Sequence, residues 1–371
     1  MYIDSLSIQN FRNFTNLTLN LSQGVNVFCG ENAQGKTNLL ESLYFCATGR
    51  SQRTHIDKEL IQFQHNEAHV QTIVRRDHTY DKIDLHVKKD AKKGIAVNGI
   101  PIKKLGELFG VLLVVIFSPE DLYLVKAGPG ERRKYIDLEL CQLSNVYYYE
   151  LQNYYRVLKQ RNNLLKNIQK KRGLQDSLFV WDMQLVEHGT KIMAQREAFT
   201  QKLSATAEVL HSKITGGKET LNIFYRPSVS AKEFSDKLAR YTERDIFQGS
   251  TSVGIHKDDF AFFINGIDAK TYGSQGQQRT ASLATKLAQI EIIKEEKDEY
   301  PVLLLDDVLS ELDESRQNYL IENSFFIQTI ITCTDAYDIT KNLKDNVRIY
   351  KVQNGNVYAE KEQGATQTLG V

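Results

Sequence analysis

Cysteine, proline and tryptophan are scarce in this 371-residue sequence, and it has no long apolar run. The four cysteines include no C-x-x-C pair, so the sequence indicates neither a disulfide framework nor a zinc site. No apolar stretch approaches the roughly 18 residues that span a bilayer. The first residues also lack the basic segment before an apolar stretch that marks a secretory signal. We therefore expect a cytoplasmic protein with no membrane partner.

The sequence also lacks an excess of charge of either sign, with 47 basic and 46 acidic residues and a net charge of +1. The chain as a whole therefore does not favour a polyanion, and any nucleic-acid surface must be local. Basic residues cluster in three places: Lys88, Lys89, Lys92 and Lys93; Arg132, Arg133 and Lys134; and Lys166, Lys170, Lys171 and Arg172. Such runs are more often solvated faces than binding sites.

The length and a hydrophobic content of 41% are sufficient for roughly two domains, each with its own core. Alternating apolar and polar residues predict strands in three early segments: 2–9, 17–21 and 70–97. Asn98-Gly99 is a hairpin signal, and the continuous apolar run 111–117 predicts a buried strand. The chain therefore begins with sheet.

Helical periodicity replaces the alternation after this sheet. Two apolar stripes carry it: Tyr147, Leu151, Tyr154, Leu158, Leu165 and Ile168; then Leu185, Ile192, Phe199, Leu203 and Leu210. A polar stretch that contains Gly173 separates them, which predicts an antiparallel helical hairpin, or arm. Strand patterns return at 221–225 and 260–264, the latter followed by the hairpin signal Asn265-Gly266. We therefore predict an α/β fold with a mixed sheet and an inserted helical arm.

One motif binds phosphate in many proteins and stands here between a strand and a helical pattern. It satisfies G-x-x-x-x-G-K-[ST] with Gly30, Glu31, Asn32, Ala33, Gln34, Gly35, Lys36 and Thr37. In such a loop the backbone N–H groups and the helix N-terminus face the phosphates. Lys36 is expected to reach the β- and γ-phosphates of ATP, and Thr37 to ligate magnesium.

A buried strand predicted at 302–305 ends in two carboxylates, Asp306 and Asp307, the form of a Walker B element. Asp306 is expected to hold magnesium, which favours oxygen ligands and few carboxylates. Asp307 is expected to orient or deprotonate the attacking water. The alternative is that both residues cap the end of the strand. Together these motifs predict ATP and Mg²⁺ as cofactors.

The segment Gly273 to Arg279 precedes a further helical pattern and resembles the signature sequence of ABC ATPases. In that family the core is Ser-Gly-Gly-Gln, which binds the γ-phosphate held by the opposite subunit. Ser274, Gly276 and Gln277 match it, whereas Gln275 replaces the first glycine. The resemblance implies that two copies complete the ATP site, although a Gly/Ser/Gln turn is also ordinary capping chemistry. Ser310 to Asp313 resembles the family's D-loop.

Two further positions depart from the ABC pattern. Asp307 stands where the family usually has glutamate, which predicts slow hydrolysis, and Thr334 stands near the place of the switch histidine. Thr334 is therefore expected to sense the γ-phosphate through its hydroxyl. Adenine recognition has candidates by position only, in Arg50, Arg53 and Thr54.

Several other stretches resemble the RecF family of DNA-repair ATPases. They lie at 8–14, 119–122, 128–137, 158–162 and 254–259, in the family order. The resemblance implies an ABC-type ATPase head in two halves, 1–120 and 221–371, with an arm at 121–220. It also implies an ATP-dependent homodimer that binds single-stranded and gapped DNA, hydrolyses ATP weakly as a switch, and works with RecR and RecO to load RecA.

Two other functions stay open from the sequence: the ATP-binding subunit of an ABC transporter, and a P-loop kinase of small molecules. A kinase would not need Ser274, because its site is complete within one chain. Three groups outside the ATP motifs also keep two interpretations. Arg132, Arg133 and Lys134 could contact phosphates or form structural ion pairs. The run Tyr147 to Tyr149 could stack on bases or pack in the core. His256 could be catalytic, but a hydrogen-bonded structural role is commoner.

Overall fold

The computed structural model describes residues 1–170, 175–322, 326–335 and 347–359. The strands in these residues are β1 Tyr2–Phe11, β2 Phe14–Asn20, β3 Val25–Cys29, β4 Glu67–Arg75, β5 Tyr80–Lys88, β6 Gly94–Val97, β7 Ile100–Pro101, β8 Val114–Phe117, β9 Leu221–Arg226, β10 Asp259–Ile264, β11 Ile267–Asp268, β12 Val302–Asp306, β13 Thr329–Cys333, β14 Val347–Gln353 and β15 Asn356–Ala359. The α-helices are α1 Lys36–Thr48, α2 Pro129–Leu143, α3 Asn145–Lys170, α4 Leu178–Thr215, α5 Phe234–Arg240, α6 Thr242–Gln248, α7 Ala269–Tyr272, α8 Gln275–Lys297 and α9 Glu314–Glu322.

The chain divides into two compact units. The first contains Met1–Asp121 and the described residues from Ile293 onward, and the second is Leu122–Ile292. The second unit ends at Ile292, whereas the arm was predicted to end at residue 220. The unit extends further because β9 packs on α4 and pairs with β10. The assignment of 221–371 to an ATPase head stays a prediction.

The first unit contains two sheets with a helix between them. The antiparallel sheet has the order β2-β1-β4-β5-β6-β7, and the mixed sheet has the order β15-β14-β3-β13-β12-β8. In the mixed sheet, β14, β3, β13, β12 and β8 are parallel and β15 is an antiparallel edge. Helix α1 contacts strands of both sheets, which explains why nearly all of its residues are buried. The predicted mixed sheet around the glycine loop is confirmed.

The apolar run 111–117 forms a shorter strand than predicted, since β8 begins only at Val114. Val111 lies in a turn instead, where its N–H donates to the Leu108 carbonyl oxygen at 3.1 Å and its carbonyl oxygen accepts from Arg76 Nη2 at 2.8 Å. Leu112 and Leu113 are nevertheless buried. The hairpin turns predicted at Asn98-Gly99 and Asn265-Gly266 are both present.

The second unit is built on the two long helices α3 and α4, which carry the two predicted stripes. Members of both stripes are buried, for example Tyr154 and Leu165 on α3 and Leu185 and Ile192 on α4. The predicted turn at Gly173, with Lys171 and Arg172 of the basic cluster, lies outside the described residues. A three-stranded sheet of order β11-β10-β9 completes this unit. No helix in the described parts of the chain has both the length and the apolar character needed to cross a membrane.

A buried ion-pair network joins the helices of the second unit. The Arg196 guanidinium on α4 is fully buried and donates to both carboxylate oxygens of Asp137 on α2, at 2.8 and 3.0 Å. It also donates to Asp258 Oδ2 at 3.1 Å and to the Ile255 carbonyl oxygen at 2.8 Å. Because the cation and its carboxylates are held away from water, each depends on the other for solvation.

Candidate functional site

The glycine loop leaves the end of β3 and enters α1, as its motif requires. Gly35 begins the helix in the left-handed conformation, with φ 112°. The Lys36 side chain is buried and turned back over the loop, where its Nζ donates to the carbonyl oxygens of Gly30 and, at 3.0 Å, Glu31. The ammonium group is therefore held directly above the loop that precedes the helix N-terminus.

Asp306 lies at the carboxyl end of β12 and meets the first turn of α1. Thr37 Oγ1 donates to Asp306 Oδ1 at 3.0 Å, although the two residues lie 269 positions apart. Strand β13 runs in parallel between β3 and β12, so the three strands end at the same edge of the sheet. Ligands of open α/β sheets bind at this edge. The meeting of the two predicted ATP motifs is thus a consequence of strand order.

Thr332 is a member of the site that sequence reasoning missed. Its hydroxyl donates to Asp306 Oδ1 at 2.9 Å and accepts from the Asp307 backbone N–H at 3.0 Å. A threonine just before the last residue of a buried strand was the available signal. Asp307 itself has φ 51°, a left-handed conformation that costs energy in a residue with a side chain. Thr332 helps to hold it there.

Burial raises the pKa of both carboxyl groups in this corner. For Asp306 the neighbouring charge of Asp307 raises the pKa further, against the hydrogen bonds from Thr332 and Thr37. For Asp307 burial is again the main cause, and the charge of Lys36 opposes it. Raised carboxyl pKa values of this kind are common where a cation or a reacting proton is handled.

The oxygens of Thr37 and Asp306 suit magnesium. Mg²⁺ binds hard oxygen ligands and usually takes one or two carboxylates together with substrate phosphates. Among the described residues, no group of three or more His, Cys, Asp or Glu side chains is placed to hold a metal ion. A cation at this hydroxyl and carboxylate would therefore share its coordination with a phosphate ligand, and the residues fit that arrangement.

A cleft of about 560 Å³ opens beside the glycine loop in the first unit. Its walls come from Gly30, Glu31 and Gln34 of the loop, from Thr334 and Asp335 after β13, and from the end of β14. Thr334 therefore lies next to the loop, and its proposed part in sensing phosphate stays a prediction.

The three candidates for adenine recognition follow the end of α1. Arg53 Nη1 donates to Asn38 Oδ1 at 2.9 Å, and Thr54 Oγ1 donates to Glu59 at 2.5 Å, whereas Arg50 is exposed. Arg53 and Thr54 therefore each have a structural partner. Their part in adenine recognition stays a prediction.

The signature-like residues lie in the second unit and form a reciprocal helix cap. Ser274 Oγ accepts from the Gln277 backbone N–H at 3.2 Å, and Gln277 Oε1 accepts from the Ser274 N–H at 2.9 Å. This reciprocal pair is a capping box, as expected if the segment is an ordinary helix cap. Gln277 Nε2 also donates to Glu219 at 2.8 Å. Ser274 is exposed, so its hydroxyl can still donate to a phosphate while it caps α8.

The structure gives both arginines of the basic cluster at 132–134 a structural partner, an ion pair for Arg132 and a backbone hydrogen bond for Arg133. Arg132 is buried and donates to both carboxylate oxygens of Asp259 at 2.8 Å, and Arg133 donates to the Asp258 carbonyl oxygen at 2.6 Å. Lys134 is exposed, and its Nζ lies 3.8 Å from the neighbouring Glu131 carboxylate. Of the three, Lys134 is the residue best placed to contact phosphate.

His256 and Tyr147 both have structural partners. Tyr147 is buried, and its hydroxyl donates to Asp137. Tyr154 hydroxyl lies 2.9 Å from His256 Nδ1, and His256 Nε2 lies 3.1 Å from the Thr251 carbonyl oxygen. Nε2 therefore carries the hydrogen and Nδ1 accepts from the tyrosine.

The partly buried His256 makes the stability of the second unit depend on pH. Burial lowers the pKa of His256 from 6.5 to about 4. Between these values the unfolded chain binds more protons, so stability falls as the pH drops from 6.5 towards 4. We expect a loss of roughly 1 to 3 kcal/mol over this window. Urea unfolding followed by fluorescence measures it, because the single tryptophan, Trp181, lies on α4.

A variant with His256→Gln serves as the control for this pH dependence. Its unfolding free energy is expected to change much less between pH 6.5 and 4.5. Equal slopes in the two proteins would show that His256 does not titrate on unfolding. The pKa values of Asp259 and Glu150 are lowered from 3.8 and 4.5, so the stability that they contribute is lost mainly below pH 4.5, and it is shared by both proteins.

Comparison with known proteins gives a consistent family. The family model described as RecF/RecN/SMC N terminal domain matches residues 2–358. The DNA replication and repair protein RecF of Lachnoclostridium phytofermentans is 50% identical over 357 residues, which cover 96% of this chain and 99% of that protein. The protein of the same name from Clostridium botulinum is 47% identical over 362 residues, covering 96% and 99%.

Solved structures agree with these sequences. A structure of the recombination mediator protein RecF with ATP, in the RecFOR pathway, has a TM-score of 0.90 and 36% identity, covering 97% of this chain and 98% of that one. An Smc head domain derived from Pyrococcus furiosus has a TM-score of 0.54 and 16% identity, covering 97% and 96%, which shows a shared fold alone. The chain therefore belongs to the RecF family, within the wider RecF/RecN/SMC group of ATPase heads.

Proposed function

We propose that this protein is an ATP-dependent DNA-binding protein of recombinational repair, in which two copies close around ATP. The observation that carries the proposal is the contact of Thr37 with Asp306 at 3.0 Å, which joins the glycine loop to the acidic strand end. The similarity to DNA replication and repair proteins named RecF supports the repair context. The family assignment favours this function over a transporter subunit or a small-molecule kinase.

Different residues of the first unit bind the phosphates of ATP, hold magnesium and activate the attacking water. The loop N–H groups and the α1 N-terminus, which carries about half a positive charge, bind the phosphates. Lys36 neutralises the β- and γ-phosphates. Thr37 and Asp306 would hold Mg²⁺, which stabilises the negative charge that develops on the phosphates. Asp307 orients the attacking water and accepts its proton.

The second copy would complete each site through Ser274, Gly276 and Gln277. Ser274 stands exposed at the start of α8, where a helix N-terminus favours an anion. In the proposed dimer this end faces the γ-phosphate held by the other copy. ATP then favours the closed dimer, and hydrolysis releases it. We infer weak, DNA-stimulated hydrolysis that acts as a conformational switch.

The DNA and protein partners are inferred from membership of the RecF family. We infer that the dimer binds single-stranded and gapped duplex DNA, and that RecR and RecO act with it to load RecA. The solved structure of RecF with ATP is described as part of the RecFOR pathway, which supports these partners.

The function is tested by steady-state ATP hydrolysis without DNA and with single-stranded, duplex and gapped DNA at several salt concentrations. Stimulation by DNA is expected, and it should fall steeply with salt because phosphate contacts release counterions. Hydrolysis that responds to no DNA at any salt concentration would contradict a DNA-dependent switch.

Replacing Ser274 with arginine should separate ATP binding from dimerisation. The bulky cation removes the cap and blocks the approach of a second copy, whereas the P-loop lies in the other unit. We therefore expect ATP binding within about twofold of wild type and loss of the ATP-driven dimer. Sedimentation with and without ATP measures this, with Gln201→Arg at an exposed position of α4 as the matched control. Normal dimerisation of the Ser274→Arg variant would contradict the composite site.

A further inference from the structure

The hairpin of β14 and β15 has an unusual turn at Asn354-Gly355. Three Asn-Gly hairpin turns occur in the described chain, and in each both residues have positive φ, at Asn98-Gly99, Asn265-Gly266 and Asn354-Gly355. A Cβ added at Gly99 or Gly266 would meet no atom within 4 Å, but one at Gly355 would lie 2.4 Å from the Asn13 carbonyl oxygen. Of the three turns, the last is the one packed tightly against other parts of the chain.

This turn holds Gln34 of the glycine loop from two sides. The Asn354 backbone N–H donates to Gln34 Oε1 at 2.6 Å, and the Gly355 N–H donates to the Gln34 carbonyl oxygen at 3.3 Å. Asn13 Nδ2 donates to the same carbonyl oxygen at 2.9 Å. Asn13 Oδ1 in turn accepts from Asn38 on α1 at 2.8 Å. Gln34 is thus fixed by backbone and side-chain donors from both ends of the sequence.

The same hairpin also lies against the first residue of the loop. A Cβ added at Gly30 would lie 2.3 Å from the Val352 carbonyl oxygen of β14. The hairpin therefore contacts the loop at Gly30 and again at Gln34, on either side of the segment whose N–H groups would face phosphate. Contacts of this kind reduce the conformational freedom that the loop would lose on binding.

We propose that the Asn354-Gly355 turn is a positioning element of the ATP site, which keeps the glycine loop in its nucleotide-binding conformation. The proposal rests on the proposed function, since it assigns the turn a part in ATP binding. In this proposal the turn acts through Gln34, whose carbonyl and side chain it orients.

The test compares Gly355→Ala with Gly99→Ala in the full chain. Both substitutions place alanine at a similar positive φ in the same type of turn, so both carry a similar backbone strain. Only the methyl group added at Gly355 also collides with Asn13, since one added at Gly99 would meet no atom within 4 Å. We expect the Kd for a fluorescent ATP analogue to rise about tenfold in Gly355→Ala and to stay at the wild-type value in Gly99→Ala, because preorganisation of the loop is lost only in the first.

The melting temperature without nucleotide separates positioning from stability. A purely structural turn would lower the melting temperature of both variants and leave both Kd values unchanged, and that result would overturn the proposal. Should Gly355→Ala fail to fold, Asn13→Ala replaces it, and an unchanged Kd in that variant overturns the proposal equally. Folded wild-type protein that bound no ATP analogue would instead refute the proposed function, and the positioning role with it.

Discussion

Asn in place of Asp307 is expected to lower the rate of ATP hydrolysis by about 10²- to 10⁴-fold, the range for loss of a general base. Asn keeps the size of the side chain and one acceptor oxygen, but it cannot accept the proton of the attacking water. The backbone contacts of Asp307 with Thr332 do not involve the side chain, so the strained local conformation should survive. ATP binding and the ATP-driven dimer are therefore expected to persist.

Single-turnover hydrolysis measured beside equilibrium ATP binding distinguishes these steps. Asp298→Asn is a suitable control, because Asp298 lies in the same unit and its side chain is fully exposed. Wild-type hydrolysis by Asp307→Asn would show that another group handles the water. Loss of ATP binding would assign Asp307 to nucleotide binding instead of the chemical step.

Methionine in place of Arg196 should strongly destabilise the second unit. The substitution leaves Asp137 and Asp258 buried without their cation, and removal of one partner from such a pair costs about 3–5 kcal/mol. This is a large part of the roughly 5–15 kcal/mol that stabilises a typical domain. The expected result is a fall of this size in the unfolding free energy, measured in urea through the fluorescence of Trp181.

Lys191→Ala provides the comparison on the same helix. Lys191 also pairs with two carboxylates, Glu150 and Glu187, but its side chain is about half exposed. Exposed pairs contribute about 0–1 kcal/mol, so a small loss is expected. Similar losses in the two variants would mean that the Arg196 network contributes no more than a surface ion pair.

The positions of the glycine loop and of Asp306, each at the end of a buried strand, could be predicted because each motif is contiguous, and their part in handling ATP stays a prediction. Strand order then brings Thr37 and Asp306 together, and alternation and helical periodicity gave the antiparallel sheet and the two long helices. These features depend on local patterns, which a single sequence displays directly. The resemblance to the RecF family is confirmed by the family model, which matches residues 2–358. It could be predicted because its motifs extend along most of the chain.

The features that sequence reasoning missed all depend on contacts between distant residues. Asn354 meets Gln34 across 320 positions, and Arg132 meets Asp259 across 127. An arginine that binds a buried carboxylate and one that binds phosphate look the same in a sequence, because both need only a cation. The two roles are distinguished by the group that the arginine contacts, and that contact depends on the fold.

The most direct test of the central claim mixes two variants that are each expected to be inactive. Lys36→Ala removes the phosphate-binding ammonium, and Ser274→Ala removes the hydroxyl of the signature segment without adding bulk that would block pairing. If one copy supplies the loop and the other supplies Ser274, a mixed dimer contains one intact site. Equal amounts pairing at random should then restore about a quarter of wild-type hydrolysis. No restoration in the mixture, or wild-type hydrolysis by the Ser274→Ala variant alone, would contradict the account, because either result would show that Ser274 of one copy does not complete the site of the other.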